Sequence, residues 1–268
     1  MARLKIAVTG SDGFIGTNLA ETLKDSDIEI VPFSGDLLKK EDIELFFQKN
    51  HGIDQIIHLV GLFFGSLDEL IKLNVLAFNN LLEAATKNGV KKVIFTSTGA
   101  VYGEPIGERS KESDPLRPNT CYGLSKKYAE ECLLYYADNF NLDYVILRFP
   151  NVYGPNNNKG VVFTLLKSIE EHGKVTIFGD GTQSRNFLHV SDACIAIKQS
   201  IDFGGREIFN ISNPNKVSVN DVVELLAKKH KFKIEHEPAN NNLKDLLLDI
   251  EKANQKLGFE PQMKELLV

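Results

Sequence analysis

The 268-residue chain is short of cysteine: Cys121, Cys132 and Cys194 are scattered, and none forms a CxxC pair. Such an odd, dispersed set excludes a disulfide framework or a zinc site and suits a reducing cytoplasm. No two of its six histidines stand at HxxxH spacing, so no metal is expected. Basic runs stop at two residues and the net charge is −5, which argues against a nucleic-acid partner. Apolar runs such as "YVILRF" are far too short to span a bilayer. "MARLKIAVTG" starts a strand almost at once and leaves no room for a signal peptide. No repeat or low-complexity tract is present. These absences together lead us to expect a cytoplasmic protein with no membrane partner.

What is present is a rhythm. "LKIAVTG" is a β-branched run ending in glycine, and Phe14, Ile15, Leu19 and Leu23 recur at helical spacing through residues 14–25. "EIVPF" predicts a second strand, "KEDIELFFQKN" a helix and "DQIIHLVG" a buried strand. Residues 67–88 predict one long helix, "KKVIFTST" a strand, about 120–139 a helix and "DYVILRFP" a strand. This βαβαβ alternation implies an α/β protein with a parallel sheet covered by helices on both faces.

After residue 151 the rhythm loosens. "NVYGPNNNKG" is a loop, residues 161–173 a helix, and "KVTIFGDGTQ" a strand and turn. "VSDACIAIKQSI" predicts a helix with an Asp or Ser cap, "EIFNIS" a strand and "SVNDVVELLAKKH" a capped helix. "EPANNNLKD" predicts another loop and "DIEKANQKLGF" a short last helix stopped by glycine. We therefore expect a dinucleotide-binding domain over 1–152 and a small lobe over 153–268, with segments around 187–212 returning to the first domain.

Three features carry chemistry. "VTGSDGFIGTNL" places Gly10, Gly13 and Gly16 at GxxGxxG spacing between a strand and an apolar helix. Glycine permits the tight turn and the close approach of a pyrophosphate, and the helix N-terminus favours its charge. The plainer reading is a strand–helix turn that merely needs small residues. An acidic residue about 20 positions on would mark NAD. Ser34 is nearest that position and Asp36 follows it. Lys39 and Lys40 could instead approach a 2′-phosphate, or simply open a solvated helix. NAD is the expected cofactor, with NADP open.

Tyr122 precedes Lys126 by one helical turn, so both share a face. A phenol is a poor base at neutral pH. Bringing its pKa near 7 takes about 4 kcal/mol, plausible beside two cations, Lys126 and an oxidised nicotinamide. Thr96, Ser97 and Thr98 offer a substrate-fixing hydroxyl at the end of a strand, where ligands bind in open parallel sheets. A lone YxxxK would be an exposed surface pair; the agreement of the three features favours a site.

With "TGSDGFIG", "IIHLVG", "LNVLAFNNLLEAA", "TSTGAVYGEP", "YGLSK", "LRFPNVYGP" and "FGDGTQSRNFLHVSD" assembled, nearly the whole chain resembles the extended short-chain dehydrogenase/reductases. Within them it is similar to the NAD-dependent epimerase/dehydratase family of nucleotide-sugar enzymes. The resemblance implies a Rossmann-type doubly wound parallel sheet with a small C-terminal substrate lobe. It makes Tyr122 the base, Lys126 its tuner and ribose ligand, and Thr98 the substrate-positioning hydroxyl. Gly10, Gly13, Phe14, Ile15 and Gly16 would cradle the pyrophosphate. Ser34, Asp36 and Leu37 would lie at the adenosine end, and Leu59, Val60, Gly61, Thr96 and Phe149 would line the cofactor. Asn151 and Arg185 would bind the nucleotide phosphates of the substrate. It also implies a homodimer through the helices at 67–88 and 120–139. Bland alternatives stand beside these roles: His58 as a packed core histidine, Asn74 bonding backbone, Arg148 and Glu130 as structural partners, and Tyr102 and Tyr153 as packing.

The departures are specific. The dehydratases' Asp–Glu pair after the active-site threonine is replaced by Gly99 and Ala100. The usual arginine-bearing turn reads "EPANNNLKD", leaving Asn240 to Asn242 and Lys244 as substitutes, and Asn186 stands where an aspartate is typical. The second strand runs almost directly into "GDLLKKEDIELFF", a trimming similar to the deoxysugar-reductase branch. The expectation is an NAD-dependent nucleotide-sugar 4-epimerase acting through a transient 4-keto sugar. The alternatives are an NAD(P)H-dependent 4-keto-sugar reductase and, more weakly, a non-catalytic dinucleotide-binding regulator.

Overall fold

A computed structural model describes residues 3–157, 159–238 and 245–263. Asn240 to Asn242 and Lys244 lie outside the described residues. Six parallel strands form the central sheet: β1 (Leu4–Thr9), β2 (Ile28–Pro32), β3 (Gln55–His58), β4 (Lys92–Thr98), β5 (Asp143–Phe149) and β10 (Arg206–Asn210). Their order across the sheet is β10-β5-β4-β3-β1-β2. Between them run α1 (Phe14–Leu23), α2 (Lys40–Lys49), α3 (Leu67–Ile71), α4 (Ala77–Lys87) and α5 (Cys121–Phe140). The chain leaves β1 towards β2, then crosses back to β3 on the other side. That reversal puts the topological switch point at the carboxyl ends of β1 and β3, where open α/β sheets bind ligands. Only β2 lies beyond β1, because residues 33–54 supply α2 and no further strand among the described residues.

Strand alternation divides the core. Ile6 and Val8 of β1 face a layer with Leu19 and Leu23 of α1 and Ile197 of α7 (Val190–Asp202). Ala7 points the other way, into Ile43 and Phe46 of α2, Phe78 and Leu82 of α4, and Leu133 of α5. All seven residues of the central strand β4 are buried, as expected of a parallel strand covered on both faces. Lys92, at its start, is buried too. Its ammonium donates to Ile201 O at 2.8 Å and Phe203 O at 2.5 Å, closing the C-terminus of α7. Burial lowers its pKa to about 8.

The second half adds β6 (Asn151–Tyr153), α6 (Gly160–His172), β7 (Lys174–Phe178), β8 (Ser184–Arg185), β9 (Phe187–His189), β11 (Val217–Ser218), α8 (Val219–Ala227) and β12 (Lys233–Glu237). They form three two-stranded sheets, β11-β8, β12-β7 and β6-β9, around a separate core of Val162, Leu165, Ile169, Ile177, Val222 and Leu226. α7 and β10, by contrast, pack with the first half.

Three local expectations need correction. The helix over 67–88 is interrupted by a π-helical turn, Lys72–Leu76, that carries Asn74. The N-cap of α7 is neither Asp nor Ser: His189 Nδ1 accepts Ser191 N–H at 3.3 Å. Asp192 is drawn away, because its carboxylate accepts the amides of Gln262 and Met263 at 3.0 and 3.2 Å. The last helix is largely a π-helical turn, Ala253–Leu257, ended by Gly258 at φ 69°.

Candidate active site

The glycine loop closes β1 onto α1. Gly10 has φ +71°, open to glycine at little cost, and its carbonyl accepts Gly13 N–H at 3.1 Å. A Cβ on Gly16 would sit 2.3 Å from Gly10 O, so the turn can be this tight only without a side chain there. No side chain caps α1 at Gly13, and its first turn holds no acidic residue. The amides of Phe14, Ile15 and Gly16 are thus left for an anionic ligand, and the cradle fits a dinucleotide's pyrophosphate.

The adenosine end is only partly as expected. Ser34 and Asp36 are exposed, whereas Leu37 is buried in the core against α2 and α4. Asp36 Oδ1 accepts Leu38 N–H at 2.9 Å, a turn-forming bond. Lys40 is taken: its Nζ lies 2.7 Å from Glu83 Oε2, and Lys87 holds the other oxygen at 2.7 Å. These two lysines pull Glu83 down to about 2. This exposed ion pair engages Lys40, and Lys39 beside it is exposed as well.

Of the three strand-end hydroxyls, geometry selects one. Thr96 Oγ1 donates to His58 O at 3.1 Å, and Ser97 Oγ donates to Glu130 Oε1 at 2.5 Å. Thr98 accepts Ala100 N–H at 3.2 Å, and its hydroxyl is the polar side chain that acts on the Tyr122 phenol, favouring the phenolate. Tyr122 and Lys126 lie on α5, which Thr120 caps by accepting Gly123 N–H at 3.0 Å. Gly123 lets that helix touch the turn after β4, since a Cβ would fall 2.4 Å from Ala100 O.

Lys126 is buried with its Nζ 4.0 Å above the Phe95 ring. Burial lowers its pKa to about 7 although Glu130 opposes the fall. Burial likewise pushes the Tyr122 phenol well above its ordinary value, with the neighbouring Thr98 hydroxyl opposing the rise. In the protein alone, desolvation therefore dominates both groups, and Lys126 by itself does not activate the phenol. Behind them Glu130 binds Arg148, whose Nη1 donates to Tyr102 Oη at 2.8 Å; that hydroxyl donates to Asn210 Oδ1 at 2.7 Å.

His58 is a core histidine. Its Nδ1 lies 2.8 Å from Thr9 Oγ1 and its ring stacks on Phe78 at 4.3 Å. Burial holds its pKa far below the usual range, so it stays neutral. Leu59 N–H donates to Thr9 O at 3.2 Å and keeps residues 59–61 beside the glycine loop. A Cβ on Gly10 would lie 3.3 Å from Val60, and one on Gly61 would lie 3.9 Å from Lys126 Nζ. Phe149 is buried at the end of β5 beside Thr98 in the sheet register.

Asn151 opens β6, half-buried. Arg185 lines a different recess of about 180 Å³ with Gln183, Phe187 and Val217, and its Nη1 donates to Ser184 O at 2.8 Å. Asn186 is fully committed to backbone: it accepts Leu248 N–H at 2.7 Å and donates to Asn215 O at 2.9 Å. Among the described residues no cluster of three His, Cys, Asp or Glu side chains is placed to hold a metal. Sequence reasoning missed Phe95 under Lys126, Ser125 bonded to Tyr122 O at 2.8 Å, and Phe63 stacked on Tyr122 at 4.6 Å. Helical spacing could have flagged Ser125; nothing in the pattern marks Phe63.

A family model for the NAD dependent epimerase/dehydratase family matches residues 6–212, spanning the glycine loop, the threonine and the Tyr–Lys pair. The chain belongs to the NAD-dependent epimerase/dehydratase family. Among relatives of this epimerase-family chain, an uncharacterized UDP-glucose epimerase of Bacillus subtilis, YtcB, is 33% identical, covering 96% of this chain and 93% of the relative. The crystal structure of UDP-glucose 4-epimerase from Thermotoga maritima, with UDP-glucose, superposes with a TM-score of 0.88 at 28% identity, covering 96% and 94% of the two chains. The Thermus thermophilus UDP-glucose 4-epimerase in complex with NAD gives 0.87 at 28% identity, covering 96% and 94%. The family's cofactor is NAD, and the uncapped start of α1 fits its pyrophosphate.

Proposed function

We propose that the protein is an NAD-dependent nucleotide-sugar 4-epimerase acting on a UDP-hexose. The observation that carries the reading is the packing of α5 against the end of β4 at Gly123 and Ala100, which brings Tyr122 and Lys126, on one helix face, to Thr98. Thr98 would orient the C4 hydroxyl, and Tyr122, as phenolate, would take its proton. NAD supplies a hydride acceptor that returns the same hydride, so none is consumed. The 4-keto sugar would turn over within the site, and Tyr122 would give the proton back on hydride return. Protonated Lys126 would bind the ribose and stabilise the phenolate.

Sugar dehydration is disfavoured because Gly99 and Ala100 stand where the dehydratases carry their Asp–Glu pair. A reductase would consume one reduced cofactor per product, whereas an epimerase consumes none. We assign residues 1–152, with α7 and β10, to the cofactor, and the remaining second half to the sugar nucleotide, with Asn151 and Arg185 on its phosphates. Exposed Leu76, Tyr128, Tyr135 and Phe140 on the long helices support a homodimer. Three free cysteines suit a cytoplasmic location, and no described helix is long and apolar enough to cross a membrane.

The test is turnover of UDP-glucose and UDP-galactose by the purified protein and by Tyr122→Phe. The reading requires interconversion with no net change at the reduced-nicotinamide band, and loss of turnover in Tyr122→Phe with NAD retained. An active Tyr122→Phe enzyme, or one equivalent of reduced cofactor consumed per product, overturns it.

A further inference from the structure

The loop after β3 is built to hold one aromatic ring against the tyrosine. Asn74 Oδ1 accepts Leu62 N–H at 2.7 Å, while its Nδ2 donates to Leu62 O at 2.9 Å and to Ser125 Oγ at 2.9 Å. Both backbone polar groups of Leu62 are therefore fastened to the turn of α5 between Tyr122 and Lys126. The other end of the loop is closed by a capping box: Ser66 N–H donates to Glu69 Oε2 at 2.8 Å, and Ser66 Oγ accepts Glu69 N–H at 3.3 Å. Between these anchors the Phe63 ring lies 4.6 Å from the Tyr122 ring, tilted by 22°, as an offset stack.

Phe63 is nevertheless 49% exposed. One part of the ring covers the phenol and the rest stays open beside it. A loop pinned at both ends around a half-exposed aromatic is not explained by core packing, since Phe63 joins none of the apolar clusters. Thr98 and Tyr122 mark where a reacting C–OH sits. A ring stacked on that phenol lies within reach of the sugar ring bearing it, and pyranoses present an apolar C–H face.

We propose that Phe63 is a positioning residue for Tyr122 and the surface on which the sugar ring packs, so that the site takes a pyranose able to lie flat on an aromatic face. This rests on the epimerase reading. Phe63 shields the phenol from water, holds its orientation to Thr98, and contributes binding to the sugar but not to the nucleotide.

The experiment compares the NAD-loaded protein with Phe63→Ala and Phe63→Tyr. Dissociation constants for UDP and UDP-glucose are measured by calorimetry, together with kcat, KM and the pH profile of kcat/KM. Phe63→Ala should weaken UDP-glucose about tenfold, the scale of an aromatic contact, and leave UDP within about twofold. The limb of the profile that reports the base should move to lower pH as the phenol is rehydrated. Phe63→Tyr should restore most of the loss. Unchanged UDP-glucose affinity and pH profile in Phe63→Ala, or equal weakening of UDP and UDP-glucose, overturns the proposal alone. A wild-type protein that neither binds nor converts any UDP-hexose overturns the epimerase reading and this proposal with it.

Discussion

Arg148 grips Glu130 with two nitrogens, Nη2 to Oε2 at 2.6 Å and Nε to Oε1 at 3.1 Å, and both side chains are buried. Glu130 stands one turn beyond Lys126 on α5, and its Oε1 also accepts Ser97 Oγ beside Thr98. The pair therefore joins the helix that carries Tyr122 to the strand that carries Thr98. Removing one charge strands the other in the core. Glu130→Gln or Arg148→Met should each lower unfolding free energy by about 3–5 kcal/mol, measured by urea denaturation. The double change Glu130→Leu with Arg148→Met should lose much less. Equal losses in single and double variants would refute a buried, mutually compensating pair.

Lys126 makes stability pH-dependent. Its pKa is about 7 folded against 10.5 for an ordinary lysine. Between those values the unfolded chain binds more protons, so stability rises with pH through that window and is lost as pH falls towards 7. The cofactor-free protein should gain on the order of 2 kcal/mol relative to Lys126→Met between about pH 7 and about pH 9. Parallel wild-type and variant curves across that range would show Lys126 to be normally charged.

Thr98→Val keeps the shape and removes the hydroxyl that faces the Tyr122 phenol. Turnover should fall about a hundredfold, typical of losing one positioned proton-transfer partner, with NAD content unchanged. Steady-state assays with cofactor analysis of the denatured protein check both halves.

Gly16→Ala inserts a methyl where Gly10 O lies 2.3 Å away. The loop must shift, at a cost of about 1–3 kcal/mol. We expect purified Gly16→Ala to carry little NAD while circular dichroism stays close to wild type. Full cofactor occupancy would mean that the cradle tolerates the displacement.

Much of this site is legible along the chain because its parts are local. The glycine spacing, the strand before it and the helix after it define the cradle without distant information. The Tyr122–Lys126 face follows from the helical repeat. The choice among Thr96, Ser97 and Thr98 is less accessible. Alternation separates Ser97 from the other two, but only the register of β4 against β3 sends Thr96 to His58 O and leaves Thr98 for Tyr122. Phe63 is illegible for a stronger reason. Its position depends on Asn74, twelve residues after Leu62, sitting on a π-helical turn that no periodicity announces. The pairing of Lys40 with Glu83, 43 residues away, also belongs to the tertiary fold.

The ammonium of Lys92 reaches carbonyls 109 and 111 residues later in the chain. α7, which that contact terminates, covers the face of the sheet formed by Ile6, Val8, Ile57, Ile94 and Val145. During synthesis this face has no complete lid until residue 201 or so has left the ribosome, although the strands beneath it are made much earlier. The cofactor-binding half is thus a late-finishing unit. Its nascent form exposes one apolar face, and the segments that end that exposure lie beyond the whole Tyr122 helix and most elements of the second half.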